Sequence, residues 1–238
     1  MPGSLHSRVL NDLGRLIVSG ELASGSTMLA EQVEKQHSVS RSVVRECMRV
    51  LQSLGMVESV KRVGIRVLPM SAWNLYDPLV IRWRLAETTN GAQLRSLTEL
   101  RTAVEPRAAE LAAIHAPDAV TRELLALAAH MRSVGRQGDL ALFLQLDIQF
   151  HSIVLAASGN EMFAKLDGVV AEVLTGRTDQ GLMPTHPHEE ALQWHVDVAD
   201  AIQGRRPADA HAAMVRIMDR TYVEVQQMWK DEPRIYLG

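Results

Sequence analysis

The chain has 238 residues, 47% hydrophobic and 22% charged, which is enough apolar content for one large or two modest cores and too much for a disordered segment. Its formal net charge of −3 argues against a general polyanion binder, and its single cysteine, Cys47, excludes an internal disulfide and suits a reducing compartment. The charge is unevenly spread: residues 1–70 hold nine Lys and Arg against six Asp and Glu, whereas the remainder holds sixteen against twenty-two.

Residues 5–19 have helical apolar spacing and end at Gly20, and the loop ELASGSTML leads into a second helix at 30–36. Residues 39–54, VSRSVVRECMRVLQSL, predict a third helix with a divided surface. Ser38, Ser40 and Ser42 open it, and Arg41, Arg45 and Arg49, at steps of four, share one face. The valines, Cys47 and the leucines form the other face. Arginine's planar fork suits a guanine edge or a phosphate, although an Arg stripe alone would equally describe a solvated helix face. Gly55 stops the helix, and VESVKRVGIRVL alternates like a two-stranded ribbon turning at 62–64. Two helices, a recognition helix and a β-wing make a winged helix-turn-helix.

The pieces IVSGELASGSTMLAEQ, VSRSVVREC, LQSLGMVES and KRVGIRV resemble, in order and spacing, the N-terminal domain of the GntR family of bacterial transcription regulators. Ser24 stands where that family usually has proline, and Val33 where it usually has alanine; neither touches the basic face. The resemblance implies that Arg41, Arg45 and Arg49 meet bases or phosphates of double-stranded DNA. Gln32, Ser40, Ser42, Arg62 and Gly64 are expected to add phosphate or minor-groove contacts, Gly64 at a wing tip where a side chain would crowd the backbone.

From Pro69 onward the pattern changes to helical periods without a strand signal. Helices are predicted at 73–86, 92–115, 118–136, 139–158, 161–177, 188–203 and 207–229, separated by Gly, Pro or Asn. The expected fold is therefore mostly α: a winged helix-turn-helix at 1–70, then an all-α bundle of six or seven helices at 71–238. No apolar run approaches the ~20 residues of a membrane span, and no signal-peptide pattern opens the chain, so a cytoplasmic protein without membrane attachment is expected.

Asp147 and His151 lie one helical turn apart and can aim at one point, a spacing that suits a borderline divalent ion but that many helices show by chance. LRTAVEPRAAELAA, DIQFH and WHVDVADAIQGRRPADAHAAM resemble, in that order, the FCD effector domain of the FadR subfamily, and the first helical stretch WNLYDPLVIRWRL looks most like its sugar-acid repressors. In that subfamily the Asp/His pair is joined by histidines from two later helices. His195 matches the first; Ile217 occupies the place of the second, so the resemblance implies a three-ligand set of Asp147, His151 and His195. Such a set leaves positions open for effector oxygen on a divalent metal, zinc or alternatively nickel or manganese. His188 and His211 are read as solvated or structural. The resemblance also places Arg101 in the effector cavity as a carboxylate receptor, against the alternative of an ordinary surface pair with Glu105, and Arg177, Trp194 and Arg220 are weaker candidates for the cavity wall.

The expected function is that of a ligand-responsive DNA-binding regulator, not an enzyme. A homodimer would read a palindromic operator and, as a repressor, release it when a small carboxylate effector, a sugar acid or related hydroxy acid, binds. Two alternatives stand beside it. One is a metal-dependent hydrolase using the Asp/His/His cluster; the other is a DNA binder whose effector domain no longer responds.

Overall fold

In the computed structural model, which describes residues 4–87 and 91–237, the chain divides into two units, Met1–Asn90 with Arg234–Gly238, and Gly91–Pro233. In the first unit, α1 (Leu5–Val18) begins at Ser4, whose side chain accepts from the Ser7 N–H, and α2 (Ala30–His37) and α3 (Arg41–Ser53) follow. All three helices bury one stripe against a common core that includes Leu13, Val33, Val44, Cys47 and Leu51. The wing pairs β2 (Val57–Val60) with β3 (Gly64–Val67), Val60 opposite Gly64, around a three-residue turn in which Arg62 takes a left-handed φ of 66°.

The two-stranded ribbon is corrected to a three-stranded sheet. β1 (Thr27–Met28) pairs antiparallel with β3 on its other edge, giving the order β1-β3-β2. That strand explains Gly64. Its φ is 116°, and a Cβ there would lie 2.6 Å from the Met28 carbonyl oxygen, so the crowding expected of a side chain comes from the neighbouring strand.

The segment expected to open the helical bundle belongs instead with the winged helix. α4 (Pro78–Leu85) is started by Asp77, whose carboxylate accepts from the Leu79 N–H, with Pro78 in the first turn. Trp83 is 1% exposed and lies over Gly14 of α1, where a Cβ would meet the indole at 2.5 Å; its Nε1–H donates to Asn11 Oδ1 at 2.9 Å. By packing, the division therefore falls near residue 90 and not at 70.

Among the described residues the second unit is all helical: α5 (Gly91–His115), α6 (Asp118–Gln137), α7 (Leu140–Ala157), α8 (Glu161–Ala164), α9 (Asp167–Asp179), α10 (Glu189–Gln203) and α11 (Pro207–Val225). The single helix expected at 161–177 is in fact two. Asn160 caps α8 by accepting from Met162 and Phe163, and the chain turns at Lys165 and Leu166 before α9 begins. α7 is in contact with α5, α6, α8 and α9. It is also long and apolar enough to cross a membrane by length and composition, closer to a span than the sequence reading allowed. Its burial of Asp147 and His151 suits a core helix that carries polar groups inward.

Candidate functional site: a buried Asp-His-His cluster

The i, i+4 spacing on α7 places Asp147 and His151 on its inward face, and α10 brings His195 to meet them. The Nε2 atoms of His151 and His195 lie 3.4 and 3.3 Å from Asp147 Oδ1, and one ligand atom from each residue falls within 4.8 Å of the others. Phe150 stands edge-on to both rings, with centroids 5.6 Å from His151 and 5.1 Å from His195. His195 Nδ1 lies 2.8 Å from the Ala191 carbonyl, and an N–H donated there leaves Nε2 with a lone pair facing the cluster. His151 Nδ1 is paired with Glu105 Oε2 on α5, which frees its Nε2 in the same way.

With the His151 Nε2 deprotonated, three acceptors would face one another, and Arg101 Nη2 lies 3.5 Å from that nitrogen. Asp147 Oδ1 and His195 Nε2 are buried without a hydrogen-bond partner, an arrangement that a shared metal ion would satisfy. Burial pushes the Asp147 carboxyl up, but His151 and His195 bonded to it hold it well below the usual carboxylate range. Burial pushes His151 down, yet the Glu105 charge and Asp147 raise it to about 9, so the imidazole carries a proton at neutral pH that a metal ion would have to displace. The donor set, two imidazoles and a carboxylate, fits a borderline divalent ion with open positions.

Glu105 is the residue that the sequence reading missed. Burial pushes its carboxyl up, but the Arg101 guanidinium and His151 pull it down to about 2, so it stays ionised behind the cluster. Its partnership with Arg101 settles the reading of that pair. Arg101 Nε donates to Glu105 Oε1 at 2.5 Å, but both side chains are 2% exposed, so this is no surface pair. Arg101 does line the cavity beside the cluster, yet its fork is turned to Glu105, and only Nη1 remains without a partner. The expected free bidentate receptor is thus corrected to a single free donor.

Arg177 on α9 and Arg220 on α11 line the same cavity, as does Ile217, which stands at the expected place on α11. Trp194 does not line it; the indole packs half-buried against the helical core. His188, read as solvated or structural, is at the cavity's edge together with Met183, Pro184 and Pro187 of the loop before α10. No motif marks that loop in the sequence.

On the first unit, Arg41, Ser42 and Arg45 of α3 line one surface groove with Gly64 of the wing. Arg45 is 65% exposed. Arg49 is exposed too, but donates to Glu46 at 2.8 Å and stands outside the groove. Ser40 caps α3 by position, its hydroxyl bonded to Ser42 Oγ at 2.8 Å rather than to a backbone N–H. Gln32 Oε1 accepts from the Leu29 N–H, leaving its amide donors free, and Arg62 is exposed at the wing turn.

The family profile of the FCD domain matches residues 96–220, and that of bacterial regulatory proteins of the gntR family matches residues 5–67. The chain belongs to the GntR family, in its FCD-bearing branch. The galactonate operon transcriptional repressor of Escherichia coli K12 is 27% identical over 223 residues, covering 90% of this chain and 94% of the relative. The repressor NanR of Salmonella newport is 26% identical over 215 residues, 88% and 81% of the two chains. Among solved structures, Lar, which controls expression of the Listeria monocytogenes agr system, superposes with a TM-score of 0.61 at 14% identity, over 95% of this chain and 99% of that one. The last likeness speaks for the fold alone. The residues between the two matched spans, 68–95, include α4, which packs with the GntR domain.

Proposed function

We propose that this GntR-family regulator is a homodimeric repressor, cytoplasmic and not enzymatic, that leaves a palindromic operator when a small organic acid binds a metal-centred cavity in its FCD domain. The observation that carries this reading is the juxtaposition of the Asp147, His151 and His195 cluster, with two unsatisfied acceptors, and arginine donors in one buried cavity. Asp147, His151 and His195 would hold the ion, zinc or alternatively nickel or manganese, and Glu105 would orient His151. When bound, the ion supplies a Lewis-acidic point for a carboxylate or hydroxyl oxygen; Arg101 Nη1 supplies a hydrogen bond to the same molecule. The name of the galactonate relative supports a sugar acid or related hydroxy acid as the effector.

The hydrolase alternative needs a general base at the ion. Glu105, the carboxylate behind His151, is held by Arg101 and stays ionised with a pKa of about 2, too weak a base for that task at neutral pH. The groove formed by Arg41, Ser42, Arg45 and the wing would take DNA, and two copies related by a two-fold axis would double the short sequence that one recognition helix reads. The test is a gel-shift titration of operator DNA with metal-loaded protein, with and without sugar and hydroxy acids. Release by one of them is expected; operator binding insensitive to every acid, combined with metal-free purified protein, would overturn the reading.

A further inference from the structure

Arg101, Arg177 and Arg220 are matched by Glu105, Asp147 and Glu224 in the ion-free cavity, and a divalent ion on the Asp-His-His cluster would leave it two positive charges in excess. At the far wall, Glu224 alone serves two arginines. Arg220 Nε donates to Glu224 Oε1 at 2.6 Å, and Arg177 Nη2 to Glu224 Oε2 at 3.2 Å. Arg220 is 35% exposed, so water screens it, but Arg177 is 3% exposed. The Nη1 of Arg177 has only the Thr221 hydroxyl at 3.5 Å, and its Nε is buried with no partner. One buried positive charge is therefore short of a counter-charge and of a hydrogen-bond acceptor. Burial and the neighbouring Arg101 push the Arg177 guanidinium down, against the Glu224 and Asp147 charges, so the net direction is down.

At the near wall, Arg101 and Glu105 cancel. Asp147 is then the only carboxylate lining that end, and a divalent ion on Asp147, His151 and His195 would exceed it by one positive charge. The two excesses are walls of one cavity. A monocarboxylate could answer one of them and would leave the other buried and unpaired.

We propose that the effector is a hydroxy acid with two carboxylates, one held at the Asp147, His151 and His195 end and the other by Arg177 with Arg220. This rests on the acid-sensing reading above and adds to it the second binding point and the ligand's charge. Guanidinium Nε and Nη atoms suit a carboxylate in-plane, and Arg177 lines the cavity with its Nε buried and unpartnered.

Calorimetry of the metal-loaded, full-length protein with acid pairs of equal chain length tests it. The probes are galactonate against galactarate, which differ only in a terminal hydroxymethyl or carboxylate, and erythronate against tartrate. The expected result is that, at the chain length that binds, the diacid binds tighter by at least about tenfold. Arg177→Met should collapse that ratio, weakening the diacid more than the monoacid, and Arg177→Lys should restore part of it. If Arg177→Met fails to fold by circular dichroism, Arg220→Met serves, with a smaller collapse expected. A monoacid that binds as tightly as its diacid overturns the dicarboxylate inference and leaves acid sensing standing. A diacid preference unchanged in both variants removes the second binding point. Heat from none of the four acids overturns this inference and the acid-sensing reading together.

Discussion

Asp147, His151 and His195 owe their arrangement to orienting groups that lie outside the cluster. The Ala191 carbonyl fixes one imidazole and Glu105 the other, and each leaves an Nε2 lone pair pointing inward. Two substitutions separate ligand from orienter. His151→Ala should abolish stoichiometric metal in purified protein and lower the melting temperature of metal-supplemented protein to that of the stripped parent, read by elemental analysis and thermal scans. Glu105→Gln keeps the shape and should lower metal affinity by about 10- to 100-fold without abolishing it, read by competition with a chelating dye. Equal affinity in Glu105→Gln and parent would show that Glu105 only neutralises Arg101. Asp147 and His151 are legible in the sequence as a candidate pair, because i, i+4 on a helix fixes a shared direction, whereas His195 comes only from the family resemblance. Glu105 is not legible. An Arg and a Glu four residues apart read identically on a wet face and a dry one, and only the packing of α7 against α5 makes this pair buried.

At the scale of the element, α3 and α11 each carry a test of register. On α3 the core side is fixed by Val44, Cys47 and Leu51, all 0% exposed, which leaves Arg41 and Arg45 facing the groove. Arg45→Ala should weaken operator binding by about 1–3 kcal/mol at fixed salt while the melting temperature stays the same. Unchanged affinity in a gel-shift titration would remove Arg45 from the interface. On α11, Ile217 is 7% exposed and lines the cavity, so Ile217→His should place a fourth donor at the ion and tighten metal binding in the dye competition. No gain would mean that this face of α11 is turned too far from the cluster. Helix positions were legible from periodicity to within a few residues, but three features were not. The two-residue β1 is too short to show alternation, and the break at Lys165 and Leu166 has no Gly or Pro to announce it. The place of α4 depends on Trp83 meeting Gly14, a contact between distant parts of the chain that no local pattern encodes.

For the whole molecule, DNA reading and the proposed acid sensing use separate cores, and that separation predicts what metal removal does. The recognition face rests on the core of Leu13, Val44, Leu51 and Trp83, none of which belongs to the bundle that holds the Asp-His-His cluster. Stripping the ion should therefore leave the winged helix folded, and a palindromic operator should still bind two copies of the chain with affinity changed by no more than about twofold, as expected when the coupling between the sites runs through the bound acid. The acid response should vanish, because without the ion the near wall of the cavity loses the charge that holds the first carboxylate. Fluorescence anisotropy on labelled operator, with stripped protein, then the same protein resupplied with zinc, each titrated with the acid, measures both properties at once. Zinc should restore release by the acid. Operator binding lost together with the helical circular dichroism signal would make the ion structural, and release by the acid from stripped protein would place the effector away from Asp147, His151 and His195.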